Sequence, residues 1–252
     1  MPVLCCRSSS SGVRFVSLFR AANNPMMDHT TRMTALLGAM RRERNGAVAD
    51  AMRPVGTPYG LNYGVSLPTL RMLARAETPD YEFAKYLALQ DVRELRLAAY
   101  HIAEPECLTE AEFAFWGKGI VNNELAEEAA FALLHRVPDF PKLFGMWTAP
   151  EMPWSLSYAA LMAASRFSDP DPAWIGRTFE TLHRTAARAE ESDAAPAAEQ
   201  ALTIARGAVA LLVRIASRNE ESRQAVLRAV GSLGRLRAED YVHEELAWQL
   251  DS

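Results

Sequence analysis

From about residue 30 onward, apolar residues recur at three- and four-residue spacing between short polar breaks, a pattern that predicts helix after helix. Met33, Leu36, Leu37, Met40, Val48 and Met52 place one helix over Thr30–Arg53, weakened by Gly38 and Gly46. A Pro/Gly loop over residues 54–67 follows. Beyond it the periodicity predicts helices over Pro68–Arg75, Asp80–Gln90, Val92–Ala103, Thr109–Lys118, Asn123–His135 and Phe140–Trp147. Further helices are predicted over Pro153–Arg166, Pro172–Arg188, Ala198–Arg218, Ser222–Leu233 and Ala238–Leu250. Nowhere do apolar and polar residues alternate with the period of two that marks a strand. The expected class is all-α.

Four of these helices resemble one another. Leu97-Ala98-Ala99-Tyr100, Glu128-Ala129-Ala130-Phe131, Tyr158-Ala159-Ala160-Leu161 and Gly207-Ala208-Val209-Ala210 each carry small residues flanked by larger ones. The small pairs begin at Ala98, Ala129, Ala159 and Ala208, so the first three recur about every thirty residues. A period near thirty with two helices per unit marks an α-solenoid, in which small residues let inner helices approach closely. The longer last interval contains Arg188-Ala-Glu-Glu-Ser-Asp-Ala-Ala-Pro196, read as an exposed insertion loop. A single unit cannot bury its own apolar face, so residues 27–252 are expected to form one domain. Two residues before each small pair stand Arg96, Glu127, Ser157 and Arg206, one column of the inner helices. Solenoids bind ligands on the face such a column lines.

Composition narrows the function classes. Hydrophobic residues make up 49% of 252 positions, yet no apolar run approaches the ~18 residues of a membrane span. Cys5, Cys6 and Cys107 make no disulfide framework, and a reducing cytoplasm is the expected compartment. The five histidines are scattered without metal-ligand spacing, and no phosphate-loop or dinucleotide fingerprint occurs, so neither metal nor cofactor is expected. Net charge is −4, but the first 53 residues hold eight arginines against Asp28, Glu43 and Asp50, leaving an acidic remainder. Any footprint for nucleic acid must therefore be a local basic stripe. Residues 1–26, with Arg7, Arg14, Arg20, Ser8–Ser11 and no acid, read as an extension outside the fold, best explained by a translation start at Met26, Met27 or Met33.

One segment is more specific. In Tyr63-Gly64-Val65-Ser66-Leu67-Pro68-Thr69-Leu70-Arg71-Met72-Leu73-Ala74, Gly64 permits a turn, Ser66 offers a helix cap and Pro68 suits the first helical turn. This order of residues ahead of a repeat array resembles the AlkD-like DNA alkylation-repair family, stacks of HEAT-like helix pairs; the resemblance covers about residues 59–220. The resemblance implies a HEAT-like α-α superhelix and a glycosylase cleft in which an aspartate lies four residues after a tryptophan, with an arginine and further tryptophans around it. An N-alkylated base leaves as a cation, so a carboxylate can stabilise the sugar cation while aromatic faces attract the base.

Mapped onto this chain, the carboxylate falls on Glu127, the preceding tryptophan on Asn123 and the arginine on Ser157, with Trp154 three residues ahead. The last tryptophan falls near Val209 or Ala210. The expected catalytic candidates are Glu127 and the aromatic wall Trp154. Asn123 and Ser157 are expected to line the groove. Arg93, Arg96, Arg166, Arg206 and Arg214 are the candidate DNA contacts. Loss of the arginine and most aromatics predicts weak or absent excision. Duplex DNA is the expected partner; the alternative is a HEAT-like scaffold whose groove holds a protein or peptide.

Overall fold

The computed structural model describes residues 28–52, 59–192 and 194–250, so the expected N-terminal extension lies outside the described residues. The described chain is helical throughout: α1 (His29–Arg42), α2 (Gly46–Met52), α3 (Leu67–Arg75), α4 (Tyr81–Ala88), α5 (Arg93–Ile102), α6 (Phe113–Gly119), α7 (Asn123–Ala132), α8 (Phe140–Trp147), α9 (Trp154–Ala164), α10 (Trp174–Glu190), α11 (Ala195–Ala216), α12 (Glu220–Val230) and α13 (Arg237–Leu250). Helices α3, α5, α7, α9, α11 and α13 pack in series, each on the next, while α4, α8, α10 and α12 flank this inner layer. The arrangement is a HEAT-like α-α superhelix. The small pairs account for the close inner packing: Ala98, Ala99, Ala129, Ala130, Ala159, Ala160 and Ala208 are all fully buried. At Gly207 the approach is close, since a Cβ there would lie 3.1 Å from side-chain atoms of both Tyr158 and Leu161 on α9.

Two elements depart from the helices read in the sequence. The single helix expected over Thr30–Arg53 is two, because the chain breaks at residues 43–45 to meet the lead-in segment. There Asn45 donates its backbone N–H to the Tyr63 carbonyl at 2.8 Å, a tertiary bond no local pattern reveals. Gly64 sits against the break with φ +70, and a Cβ would fall 2.1 Å from the Asn45 oxygen. Only glycine fits there. The second departure is the expected loop at 188–196, most of which is helix: α10 runs to Glu190 and α11 starts at Ala195. Its alanines favour continued helix, so the long interval between repeats is taken up by longer helices.

The lead-in segment is held from below by charge. Glu94, fully buried, accepts the backbone N–H groups of Tyr63 and Val65 at 3.2 Å. Arg93 donates to the Val65 carbonyl at 2.9 Å, to Glu94 at 3.0 Å and through Nε to Glu124 at 2.8 Å. Every buried charge thus has an opposite partner or backbone donors, as burial requires. Ser66 then caps α3 by accepting the Thr69 N–H at 3.3 Å, with Leu67 and Pro68 filling its first two positions. The ladder fixes where α3 begins and therefore where Arg71, one turn later, projects.

Candidate nucleic-acid interface

Arg71 reaches across α5 to α7. Its Nε and Nη2 donate to the two oxygens of Glu128 at 2.9 and 2.6 Å, a bidentate pair. His101, near the end of α5, donates from Nε2 to the same carboxylate. The Glu128 side chain is only 2% exposed, and burial alone would raise its pKa. The hydrogen bonds and charges of Arg71 and His101 outweigh burial and hold it at about 2. Glu128 is therefore a fixed anion that orients Arg71 at the edge of a cleft of about 460 Å³, also lined by Arg75, Phe131, His135 and Arg166.

Arg166, just beyond α9, lays its guanidinium carbon 3.3 Å from the centre of the Phe131 ring. Its pKa is lowered, first by burial and then by repulsion from Arg71, with Glu127 opposing. His135 sits on the short 3-10 turn after α7, its Nδ1 donating to the Ala130 carbonyl at 2.9 Å. Burial lowers its pKa, and the nearby charges of Arg136 and Arg166 act in the same direction. Further along, the Tyr158 hydroxyl of α9 donates to Glu127 at 2.7 Å. Burial first, and this hydrogen bond next, push the Tyr158 pKa up; the positive charge of Arg206 on α11 opposes them. Arg75 and Arg206 are exposed, and neither makes an ion pair with a described residue. The face from α3 to α11 thus carries Arg71, Arg75, Arg166 and Arg206 against Glu127 and Glu128, both of them already engaged.

The residues singled out in the sequence scatter around this face. Glu127, Arg166 and Arg206 lie on it. Arg93, 3% exposed, is turned inward to its carboxylates and has no surface to offer a phosphate. Arg96 donates to the Gln90 carbonyl at 2.9 Å and pairs with Asp91, beside a separate hollow lined by Leu89, Phe115 and Lys118. Arg214 is tied to the Ser168 carbonyl at 3.1 Å. Ser157 is buried, its hydroxyl donating to the Trp147 carbonyl at 2.9 Å, in the wall of the hollow that Trp154 also lines. Asn123 reaches toward Thr203 at 3.5 Å, and Val209 is buried in the α11 core face. Trp154 stands at the start of α9 beside α10.

Glu128, Arg71 and His101 were missed as a cluster, because three separate helices contribute one residue each. The available signals were Arg71 inside the lead-in segment and a second carboxylate adjacent to Glu127. Successive helical positions differ by about 100°, so Glu127 follows Tyr158 while Glu128 turns back toward α5. Among the described residues no group of three or more His, Cys, Asp or Glu side chains is placed to hold a metal ion, and no helix is long and apolar enough to cross a membrane.

No protein-family model matches the chain, and no curated protein is similar to it in sequence. Among solved structures it is similar to a protein described as belonging to "a new family of proteins related to the HEAT-like repeat DNA glycosylases with affinity for branched DNA structures". The TM-score is 0.62 at 14% identity, over 88% of this chain and 95% of that one. At that identity the likeness establishes a HEAT-like fold.

Proposed function

We propose that this protein binds DNA through the face running from α3 to α11, and that its base-excision chemistry is degenerate. The observation that carries the reading is the run of Arg71, Arg75, Arg166 and Arg206 on an otherwise acidic chain. A blander account is that arginines near helix C-terminal ends complement the helix dipole. It suits Arg75 at the end of α3, but Arg206 lies in the middle of α11. Arg166 is moreover disfavoured by its surroundings, since burial and Arg71 both lower its pKa. Like charges brought together in this way gain when an anion joins them, and a phosphate backbone supplies a row of anions. The affinity for branched DNA described for the structural neighbour points to the same ligand class.

Excision is a different matter. At the positions where the family resemblance implies an aromatic cage and a phosphate-anchoring arginine, this chain carries Asn123, buried Ser157 and buried Val209, which supports a degenerate excision site. Glu127 itself is committed to the Tyr158 hydroxyl. The groove reads as a binding surface that has kept a carboxylate without the rest of the chemistry.

Titration of a fluorescent blunt duplex and a four-way branched duplex tests the proposal. Wild type should bind both, and Arg75→Glu/Arg166→Glu/Arg206→Glu should lose most of that affinity while keeping its melting temperature. Wild-type affinity unchanged by the triple reversal would defeat the stripe. Binding to neither DNA would favour the scaffold for a protein partner.

A further inference from the structure

Away from the arginine run, the first turns of α9 and α11 and the last turns of α10 enclose a second pocket of about 310 Å³. Its wall includes the Trp154 indole, Met152, Arg184, Arg188 and Gln200, with Glu151 as its acidic member. Arg184 and Arg188 lie one turn apart on α10 and make no ion pair with a described residue. Arg184 is weakly tethered, donating to the Thr148 carbonyl at 3.5 Å. Its pKa is lowered by burial first and then by the charges of Arg188 and Arg177, with Glu151 and Glu180 opposing. Two guanidinium groups that repel each other, an aromatic plate and a side-chain amide therefore share one small concavity.

We propose that this pocket takes a single unstacked nucleotide, with its base on the Trp154 indole, its base edge at the Gln200 amide and its phosphate between Arg184 and Arg188. The inference rests on the DNA-binding reading and deepens it. Size favours one nucleotide, since 310 Å³ falls at the bottom of the ~300–1,000 Å³ range of small-ligand pockets and cannot admit a duplex. Chemistry favours it as well. An aromatic plate offers stacking to any base, and arginines beside it track the phosphate, the combination used for single-stranded nucleic acid. Such a nucleotide occurs where strands part, at a tail or branch, and also as a free nucleoside monophosphate. In either setting Trp154 serves as a stacking platform.

The test compares a labelled blunt duplex with the same duplex carrying a single-stranded tail, and uses dAMP as competitor. Wild type should bind the tailed duplex more tightly. Trp154→Ala should remove that gain, roughly tenfold, while leaving blunt-duplex affinity unchanged. Arg184→Gln/Arg188→Gln, which removes both cations from the pocket wall, should do the same, and Trp154→Phe should retain most of the gain. Displacement of the tail by millimolar dAMP would extend the ligand to free nucleotides; resistance to it would restrict the ligand to strand-borne ones. A tail gain that survives both Trp154→Ala and the arginine pair variant would overturn the proposal, as would no tail gain at all. The two readings fail separately. If blunt duplex does not bind but a short single-stranded oligonucleotide does, in a Trp154-dependent way, the arginine run loses its role and the pocket keeps its own.

Discussion

Glu128→Gln isolates the ion cluster that aims Arg71. The carboxylate, 2% exposed, receives two hydrogen bonds from Arg71 and one from His101, and its pKa falls from the ordinary 4.5 to about 2. At about 1.4 kcal/mol per pH unit, that difference corresponds to roughly 3 kcal/mol of stability. Because the folded-state pKa is depressed, this contribution is fully present above pH 4.5 and is lost as the pH falls toward 2. Glutamine keeps the shape but carries no charge and turns an amide N–H toward donors, so at pH 7 the variant should be less stable by about 3 kcal/mol. Urea unfolding of both proteins, followed by far-ultraviolet circular dichroism at pH 7, 5, 3.5 and 2.5, measures the gap directly. It should be near its full value at pH 7 and 5, smaller at 3.5 and below ~1 kcal/mol at 2.5. A gap of the same size at every pH would refute the charged clamp and leave only a loss of shape or hydrogen bonding.

Other outcomes follow from the same geometry. Gly64→Ala should destabilise by at least ~2 kcal/mol in a thermal melt, because φ is +70 and the new Cβ would meet the Asn45 oxygen at 2.1 Å. Arg93→Met should lower stability by ~3–5 kcal/mol, removing the one cation that Glu94 and Glu124 share, yet leave the salt dependence of DNA binding unchanged, which equilibrium unfolding and binding titrations would show. Incubation with duplex carrying an N-methylated purine should release little base, and any trace should vanish in Glu127→Gln. Robust Glu127-dependent release would mean that another set of side chains completes the cage.

Most local signals in the sequence are legible where the structure uses them locally. Ser66 caps α3, Pro68 sits in its first turn, and the small pairs at Ala98, Ala129, Ala159 and Ala208 are buried where neighbouring inner helices meet. What escaped was tertiary. The break between α1 and α2 depends on the Tyr63 carbonyl and Gly64, some twenty residues downstream, so apolar periodicity ran straight through it. Arg93 carried the same weight as Arg166 in the sequence, since a charge pattern does not tell a buried clamp for the lead-in segment from an exposed contact. The Arg71–Glu128–His101 cluster needed three helices to be superposed before it existed. The alanines of residues 188–196 are a local signal that reads as a loop where the structure has two helix ends.

The central claim is that the arginine face binds DNA by neutralising phosphates, and the salt dependence of blunt-duplex affinity tests it most directly. Log affinity plotted against log salt has a slope of about −0.9 for each phosphate contact. Wild type should show a slope near −3 to −4, the expectation for Arg71, Arg75, Arg166 and Arg206 each meeting about one phosphate. Arg75→Glu/Arg166→Glu/Arg206→Glu should flatten it by about three contacts' worth, whereas Arg93→Met should leave it as it was. A wild-type slope near zero, or one that the triple variant does not change, would contradict the account.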